Sequence, residues 1–220
     1  GMTAQGLATF LNDYLTAMTD TIMEQGGTVD KYIGDAIMAI WGAPLEDEAH
    51  AAHAVACGFA MLETLDRKGA VWKTQGLPDI NVGIGLNSGL MNVGNMGSRN
   101  RFDYTVIGDN VNLSSRLEGL NKFYGTRFLI SEYTREAAGE SLLSRPVDRV
   151  RVKGKKLPVT VYEPIAFQPD SDERTREVAE FEKALEAYYQ RDFETAKGKL
   201  DRLCEKKGDD PVYMLYQQRV

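Results

Sequence analysis

Two short stretches of the sequence carry side chains whose types and spacing suit phosphate chemistry. The first is Lys31-Tyr32-Ile33-Gly34-Asp35, which places a cation four residues before a carboxylate. Because β-rich runs flank Gly34-Asp35, we predict a tight hairpin with Asp35 at its tip. A turn aspartate that caps its own backbone, with a solvated lysine on the strand, also gives this pattern.

The second stretch runs from Thr105 to Arg116 and reads as a strand followed by a helix. Asn112 and Arg116 are four residues apart, so they share one face of that helix. An amide can orient a hydroxyl group, and a guanidinium group meets a phosphate in fork geometry. Taken by itself, this spacing favours a hydrogen-bonded pair on the protein surface.

Together, these stretches stand in the order and spacing of a known family. The chain resembles the catalytic domain of class III adenylate and guanylate cyclases over nearly all of residues 2–166. The resemblance rests on Lys-x-x-Gly-Asp, on Gly-Asp-x-Val-Asn-x-x-x-Arg and on the later Val152-Lys153-Gly154-Lys155. The combination of Lys31 with Thr105 is similar to a bacterial subclass of the family.

The resemblance implies conversion of ATP to cyclic AMP and pyrophosphate at a site holding two Mg²⁺ or Mn²⁺ ions. Adenine offers an acceptor at N1 and donors at its amino group, which suit a lysine donor and a threonine acceptor. Guanine reverses this pattern. The implied roles are catalysis for Asn112 and Arg116, substrate binding for Lys31, Thr105 and Lys153, and metal binding for Asp35.

The family also implies a head-to-tail homodimer with active sites at the interface. Asp35 would come from one subunit, and the substrate-binding and catalytic side chains from the other. This arrangement is compatible with a sensor region upstream of the domain. The chain would then be the cytosolic part of a membrane-bound sensor cyclase.

One part of the family pattern is missing from the sequence. A second metal-binding aspartate is expected on a strand with a Phe-x-Asp-Ile pattern, ahead of the first helix, and the sequence begins inside that helix. We therefore expect little or no cyclase activity from these 220 residues. Asp13 and Asp20 read as exposed helix acids, and Asp30 should face away from Lys31 because side chains alternate along a strand.

Two alternative functions remain open. The chain could be a guanylate cyclase, or an inactive cyclase fragment that dimerises and holds nucleotide without turnover. A diguanylate cyclase is disfavoured because no Gly-Gly-Asp/Glu-Glu-Phe signature is present.

The elements that must position these residues alternate between helical and strand patterns. Hairpins make the predicted sheet largely antiparallel, which indicates an α+β, ferredoxin-like cyclase domain with a mixed sheet. Ile80–Leu86 alternate as a strand that returns through Val93 as a hairpin, and Gly94–Arg101 read as a loop able to meet phosphates or solvent. We place the cyclase domain at residues 1–167 and a charged linker with a helical hairpin at residues 168–220. This hairpin resembles one tetratricopeptide-like unit, which must pack on the domain or on a partner.

Composition limits the remaining function classes. The 220 residues are 43% hydrophobic and 26% charged with a formal net charge of −6, which is typical of a globular protein and disfavours nucleic-acid binding. No apolar run reaches the length of a membrane span. Two cysteines cannot form a disulfide framework, so we expect a cytoplasmic protein. His50 and His53 are three residues apart but lack further metal ligands, so we expect no metal there.

Overall fold

The computed structural model describes residues 2–151, 158–169 and 172–220. They divide into two compact units. The first unit extends to Val82 and includes Gly89–Val111, whereas the second consists of Gly83–Ser88 and Asn112–Val220. In chain order the elements are α1 (Ala4–Glu24), β1 (Thr28–Ile33), β2 (Ala36–Ile40), α2 (His50–Thr74), β3 (Ile84–Leu86), β4 (Asn92–Ser98), β5 (Arg101–Ile107), α3 (Asp109–Tyr124), β6 (Phe128–Ser131), α4 (Glu132–Ala138), β7 (Leu142–Val150), β8 (Val159–Phe167), α5 (Asp172–Tyr189), α6 (Phe193–Lys206) and α7 (Pro211–Gln217).

The first unit is built on the packing of α1 against α2. Apolar side chains recur at three- and four-residue steps along α1, so one face of the helix is buried. Phe10 meets Trp72 of α2 edge to face, with ring centroids 5.1 Å apart. Asp13 fixes the same contact by accepting hydrogen bonds from Trp72 Nε1 at 2.8 Å and Lys68 Nζ at 2.7 Å.

Two antiparallel hairpins complete the first unit. β1 pairs with β2 across the predicted Gly34-Asp35 turn, and β4 pairs with β5. The prediction of a loop over Gly94–Arg101 was wrong, because paired strand residues reach Ser98 and resume at Arg101. The hydroxyl of Ser98 accepts hydrogen bonds from the backbone N–H groups of Asn100 and Arg101, which stabilises this tight turn.

The second unit contains a four-stranded sheet in the order β3-β6-β8-β7. β3 is parallel to β6, whereas β6–β8 and β8–β7 are antiparallel, so the predicted mixed sheet and α+β class are confirmed. The predicted strand over Ile80–Leu86 and its return through Val93 were wrong. Only Ile84–Leu86 form a strand, and its partner is β6.

The C-terminal helices belong to the second unit. Apolar side chains of α5, α6 and α7 share one core with α3 and with β6–β8. The predicted helical hairpin is present as α5 and α6, and α7 adds a third helix. The boundary that we placed between residues 167 and 168 stays a prediction. The residues common to this core include Leu113, Leu117, Leu129, Val161, Phe181, Leu200, Tyr213 and Tyr216.

A buried arginine joins the last helix to the sheet within this unit. Arg145 on β7 donates to Glu163 Oε2 on β8 at 2.7 Å and to Asp210 Oδ2 at 2.7 Å. Asp210 also caps α7 by accepting from the backbone N–H groups of Val212 and Tyr213. The side chain of Arg145 is 8% exposed, so this network is largely shielded from water. Among the described residues, no helix is both long and apolar enough to cross a membrane.

Candidate active site

The β1–β2 hairpin presents Asp35 as predicted, at an exposed turn. Gly34 has φ +67°, a backbone conformation that favours glycine, so the turn depends on this residue type. Asp35 is close enough to the phenol of Tyr14 to influence it. Burial is the larger cause that raises the pKa of Tyr14, and the negative charge of Asp35 is the smaller one.

Lys31 and Thr105 lie on neighbouring strands, β1 and β5, and both meet the carboxylate of Asp30. The hydroxyl of Thr105 donates to Asp30 Oδ2 at 2.6 Å. Lys31 Nζ lies 3.5 Å from Asp30 Oδ1, and that oxygen has no hydrogen-bond partner among the described residues. The structure thus brings together the two residues predicted to recognise the purine.

Our expectation that Asp30 faces away from Lys31 was wrong. The pairing of β1 with β2 shifts register between Val29 and Lys31, so Asp30 occupies an irregularity and the alternation of side chains is interrupted. Its side chain is only 1% exposed. The sequence carries no clear signal for a bulge at this position, because Val-Asp-Lys-Tyr continues the strand pattern on both sides.

Asn112 and Arg116 lie on α3 in the second unit, and both are exposed. Leu113 and Leu117 on the same helix are fully buried, so the helix keeps its apolar stripe in the core and leaves the amide and guanidinium groups accessible. This is the arrangement that their four-residue spacing predicts.

Close packing of α3 against β3 fixes the direction of the helix. A Cβ atom at Gly85 would collide with the backbone of Ser114 and Glu118, so only glycine permits this approach. Ser114 Oγ donates to the carbonyl of Gly85 at 2.8 Å, and Asn121 Nδ2 donates to the carbonyl of Ile84 at 3.0 Å. The helix that carries Asn112 and Arg116 is therefore held by both packing and hydrogen bonds.

A shallow cavity of about 250 Å³ lies beside Arg116 and is also lined by Arg151 at the end of β7. Arg116 and Arg151 are the charged residues of this lining, which is otherwise apolar or glycine. Sequence reasoning missed Arg151, although it directly precedes the basic segment that the family pattern singled out. The predicted substrate-binding residue Lys153 lies outside the described residues.

The histidine pair has a local role. His53 Nδ1 lies 2.7 Å from Asp47 Oδ2, and this contact lowers the pKa of the Asp47 carboxyl group. No group of three or more histidine, cysteine or acidic side chains that could hold a metal ion occurs within residues 2–151, 158–169 and 172–220. Asp35 thus belongs to no such group, and the described residues do not by themselves fit a two-ion site.

Comparison with known proteins gives the family. The sequence profile of the adenylate and guanylate cyclase catalytic domain matches residues 2–163. An adenylate cyclase of Anabaena cylindrica is 44% identical over 162 residues, covering 70% of this chain and 31% of that protein. The chain spans less than a third of the length of the curated relatives it matches.

Two solved structures are similar to nearly the same extent. The guanylyl cyclase Cya2 has a TM-score of 0.70 at 34% identity, covering 78% of this chain and 86% of that one. The adenylyl cyclase CyaB from P. aeruginosa has a TM-score of 0.69 at 33% identity, covering 77% and 87%. Since these neighbours act on different purines, overall similarity does not choose between ATP and GTP. The chain belongs to the adenylate and guanylate cyclase catalytic domain family.

Proposed function

We propose that this cyclase domain is of the adenylate cyclase type and converts ATP to cyclic AMP and pyrophosphate. The observation that carries the proposal is the placement of Lys31 and Thr105 on adjacent strands around one buried carboxylate. A lysine ammonium group can only donate, which suits N1 of adenine, and a threonine hydroxyl can accept from the adenine amino group. Guanine carries a donor at N1 and an acceptor at its carbonyl oxygen. Its donor would therefore face the lysine donor, and its acceptor would face the threonine acceptor.

The reacting end of the nucleotide would be handled by residues of α3. Asn112 would orient the ribose so that the 3′-oxygen faces the α-phosphorus, and Arg116 would stabilise negative charge that develops on the α-phosphate. The 3′-oxygen forms the new bond to phosphorus as its proton leaves to solvent. The bond from phosphorus to the α–β bridging oxygen breaks, and pyrophosphate departs with that electron pair, with Lys153 as its proposed partner.

Divalent ions, Mg²⁺ or Mn²⁺, are used in this family to neutralise phosphate charge. Asp35 is the proposed protein ligand on this chain. Two-metal chemistry needs carboxylates that hold the ions about 3.5–4 Å apart, and the described residues offer no such cluster. We therefore propose that these 220 residues, assayed by themselves, bind ATP but turn it over weakly.

We further propose a head-to-tail homodimer. Several large apolar side chains lie exposed on the two hairpins of the first unit, where water would otherwise cover them. They are close in sequence to Lys31, Asp35 and Thr105, so a second copy covering them would also approach the proposed site. These side chains are Tyr32, Ile33, Val93, Phe102, Tyr104 and Ile107.

The test combines binding with turnover. Calorimetry with non-cleavable α,β-methylene analogues of ATP and GTP measures affinity, and chromatography with Mg²⁺ or Mn²⁺ measures cyclic AMP and cyclic GMP. We expect tighter binding of the ATP analogue and only slow cyclic AMP formation. Arg116→Ala should lower the remaining rate by about 10²–10³-fold while changing affinity little.

Lys122→Ala is the matched control, because Lys122 is an exposed cation elsewhere on the same helix. It should leave turnover unchanged. Preference for the GTP analogue would overturn the choice of substrate, and rapid cyclic AMP formation would overturn the proposed weakness of the metal site. Light scattering after size-exclusion chromatography tests the dimer, and a strictly monomeric chain at high concentration would contradict it.

A further inference from the structure

A buried carboxylate lies directly behind the pair of residues proposed to recognise the purine. Asp30 is 1% exposed at its side chain, and its Oδ2 accepts the hydroxyl proton of Thr105 at 2.6 Å. Thr105 itself is 8% exposed, and Lys31 is 40% exposed at its side chain. The carboxylate is thus shielded from water and Thr105 is largely buried beside it, whereas Lys31 remains accessible.

The hydrogen bond from Thr105 fixes the polarity of its hydroxyl group. A hydroxyl has one proton and two lone pairs, so a free threonine can either donate or accept. Once the proton is committed to Asp30, only the lone pairs remain for a ligand. The hydroxyl can then accept from the amino group of adenine, but it has no proton to offer the carbonyl oxygen of guanine.

The second oxygen of the same carboxylate acts on Lys31. Its Nζ lies 3.5 Å from Asp30 Oδ1, beyond a short hydrogen bond but within strong electrostatic attraction at a buried site. Because Oδ1 has no hydrogen-bond partner among the described residues, this attraction is not shared with another donor. The ammonium group is thus drawn toward the carboxylate that also binds Thr105, while its own N–H groups stay available to a ligand.

We infer that Asp30 is a positioning residue that makes the Lys31–Thr105 pair selective for adenine over guanine. The inference rests on the proposed function, since it assumes that this pair reads the purine. It adds a third residue to the pair and explains why the pair prefers adenine. A threonine hydroxyl can either donate or accept, and the hydrogen bond to Asp30 leaves it only as an acceptor toward the ligand.

The experiment measures the ratio of dissociation constants for the α,β-methylene analogues of GTP and ATP on the 220-residue chain with Mg²⁺. Asp30→Asn keeps the size of the side chain but presents an amide that can donate to Thr105 as well as accept from it. We expect the preference for the ATP analogue to fall about tenfold, which corresponds to the loss of one well-oriented hydrogen bond. Asp20→Asn, an exposed acid on α1, should leave the ratio unchanged.

Variants of Thr105 separate selectivity from general structure. Thr105→Val removes the hydroxyl and should lower the preference to a similar extent, whereas Thr105→Ser retains the hydroxyl and should preserve it. In the Thr105→Val background, Asp30→Asn should have little further effect on the ratio. If Asp30→Asn fails to fold by circular dichroism, an unchanged ratio in Thr105→Val still overturns the inference.

The outcomes distinguish this inference from the proposed function. A wild-type chain that prefers the ATP analogue, with the same preference in Asp30→Asn, overturns the role of Asp30 and leaves the substrate assignment standing. A wild-type chain without preference for the ATP analogue overturns the substrate assignment, and the role of Asp30 with it. A fall in preference for Asp30→Asn and Thr105→Val, together with retention in Thr105→Ser, supports both.

Discussion

Each unit holds an acidic side chain on a strand, Asp30 buried and Glu163 partly buried, and the two acids are paired differently. Glu163 in the second unit meets Arg145, whose Nε and second terminal nitrogen lie 2.7 Å and 2.6 Å from Oε2, and the same arginine reaches Asp210. Asp30 in the first unit meets one hydroxyl group and a lysine at 3.5 Å. Buried polar groups are normally fully hydrogen-bonded, so an incompletely satisfied one requires an explanation. The difference indicates a structural role for Glu163 and a ligand-related role for Asp30.

The two units also differ in how many large apolar side chains they expose. Among the described residues of the second unit, large exposed apolar side chains are few: Phe123, Tyr189, Phe193 and Met214. The first unit has many more, spread over α1, α2, the hairpins and the segments that flank them: Met2, Leu7, Met23, Tyr32, Ile33, Leu45, Val71, Leu90, Val93, Phe102, Tyr104 and Ile107. The C-terminal helices thus complete a core around the second unit's sheet, whereas the hairpins of the first unit leave apolar side chains exposed.

The largest expected effect comes from breaking the arginine network of the second unit. Arg145→Met should lower the free energy of unfolding by about 3–5 kcal/mol, because it leaves two carboxylates without their buried cation. Burial alone would lower the pKa of Arg145, but Glu163 and Asp210 outweigh it and raise that pKa. Urea unfolding followed by far-ultraviolet circular dichroism measures the change.

The matched control for that variant is Lys197→Met, which removes an exposed pair with Asp201 on α6. Such pairs contribute about 0–0.5 kcal/mol. Equal effects of the two substitutions would contradict the structural importance assigned to Arg145.

A smaller effect is expected when the buried acid of the first unit is neutralised. Asp30→Asn should lower the free energy of unfolding by at most about 1 kcal/mol, because asparagine retains an acceptor for Thr105 and removes a charge with an unsatisfied oxygen. Trp41 and Trp72 both lie in the first unit, so tryptophan fluorescence during urea unfolding reports on it directly. A loss near that of Arg145→Met would make Asp30 a structural residue and remove the contrast between the units.

Acid should weaken the first unit through Asp13. Its hydrogen bonds with Lys68 and Trp72 lower the pKa of Asp13 below the ordinary value of 3.8. The folded state therefore binds fewer protons than the unfolded state, so this stability is present above that value and is lost as the pH falls through the folded-state pKa. Because the Asp13 side chain is 45% exposed, solvent screening limits the effect to about 0.5 kcal/mol.

Urea unfolding at a series of acidic pH values checks this expectation in wild type and Asp13→Asn. The substitution should flatten the pH dependence, while Asp20→Asn on the same helix should leave it intact. If the free energy of unfolding of Asp13→Asn changes with pH as steeply as that of wild type, the Asp13–Trp72 contact does not link pH to stability.

The smallest perturbation is thiol labelling, which probes each unit without a substitution. Burial raises the pKa of Cys57 in the first unit to about 12. The same burial keeps reagents away from its thiol group. Cys204 in the second unit is partly exposed, so a thiol reagent should modify it first. Cys204→Ser should make the folded chain nearly unreactive, and rapid labelling of that variant would show that the core of the first unit opens readily.

Local sequence patterns predicted where several residues of the candidate site lie on the secondary structure. The turn glycine Gly34 fixes the hairpin that presents Asp35, and the four-residue spacing of Asn112 and Arg116 fixes their common face on α3. Both depend on backbone geometry within a few residues, which sequence periodicity reports directly. The hairpin of α5 and α6 was predicted on the same grounds.

Other features depended on pairing between distant segments. The alternation around Ile84 was consistent with a hairpin, yet its parallel partner is β6, and Gly85 allows α3 to pack against this strand. Asp30 was assigned to the wrong face because the shift in register after Val29 depends on the pairing with β2.

The sequence by itself determined the family pattern, the residue types at the proposed site and the helical face that carries Arg116. These follow from short-range spacing and from the hydrogen-bonding capacity of each side chain. Only the tertiary structure decided that one buried carboxylate, Asp30, contacts both Lys31 and Thr105, and that the C-terminal helices complete the core of the second unit. The reason is physical: the contact with Thr105 and the packing of the C-terminal helices join residues far apart in the chain. The contact with Lys31 depends on the irregular pairing of β1 with β2, which no local pattern records.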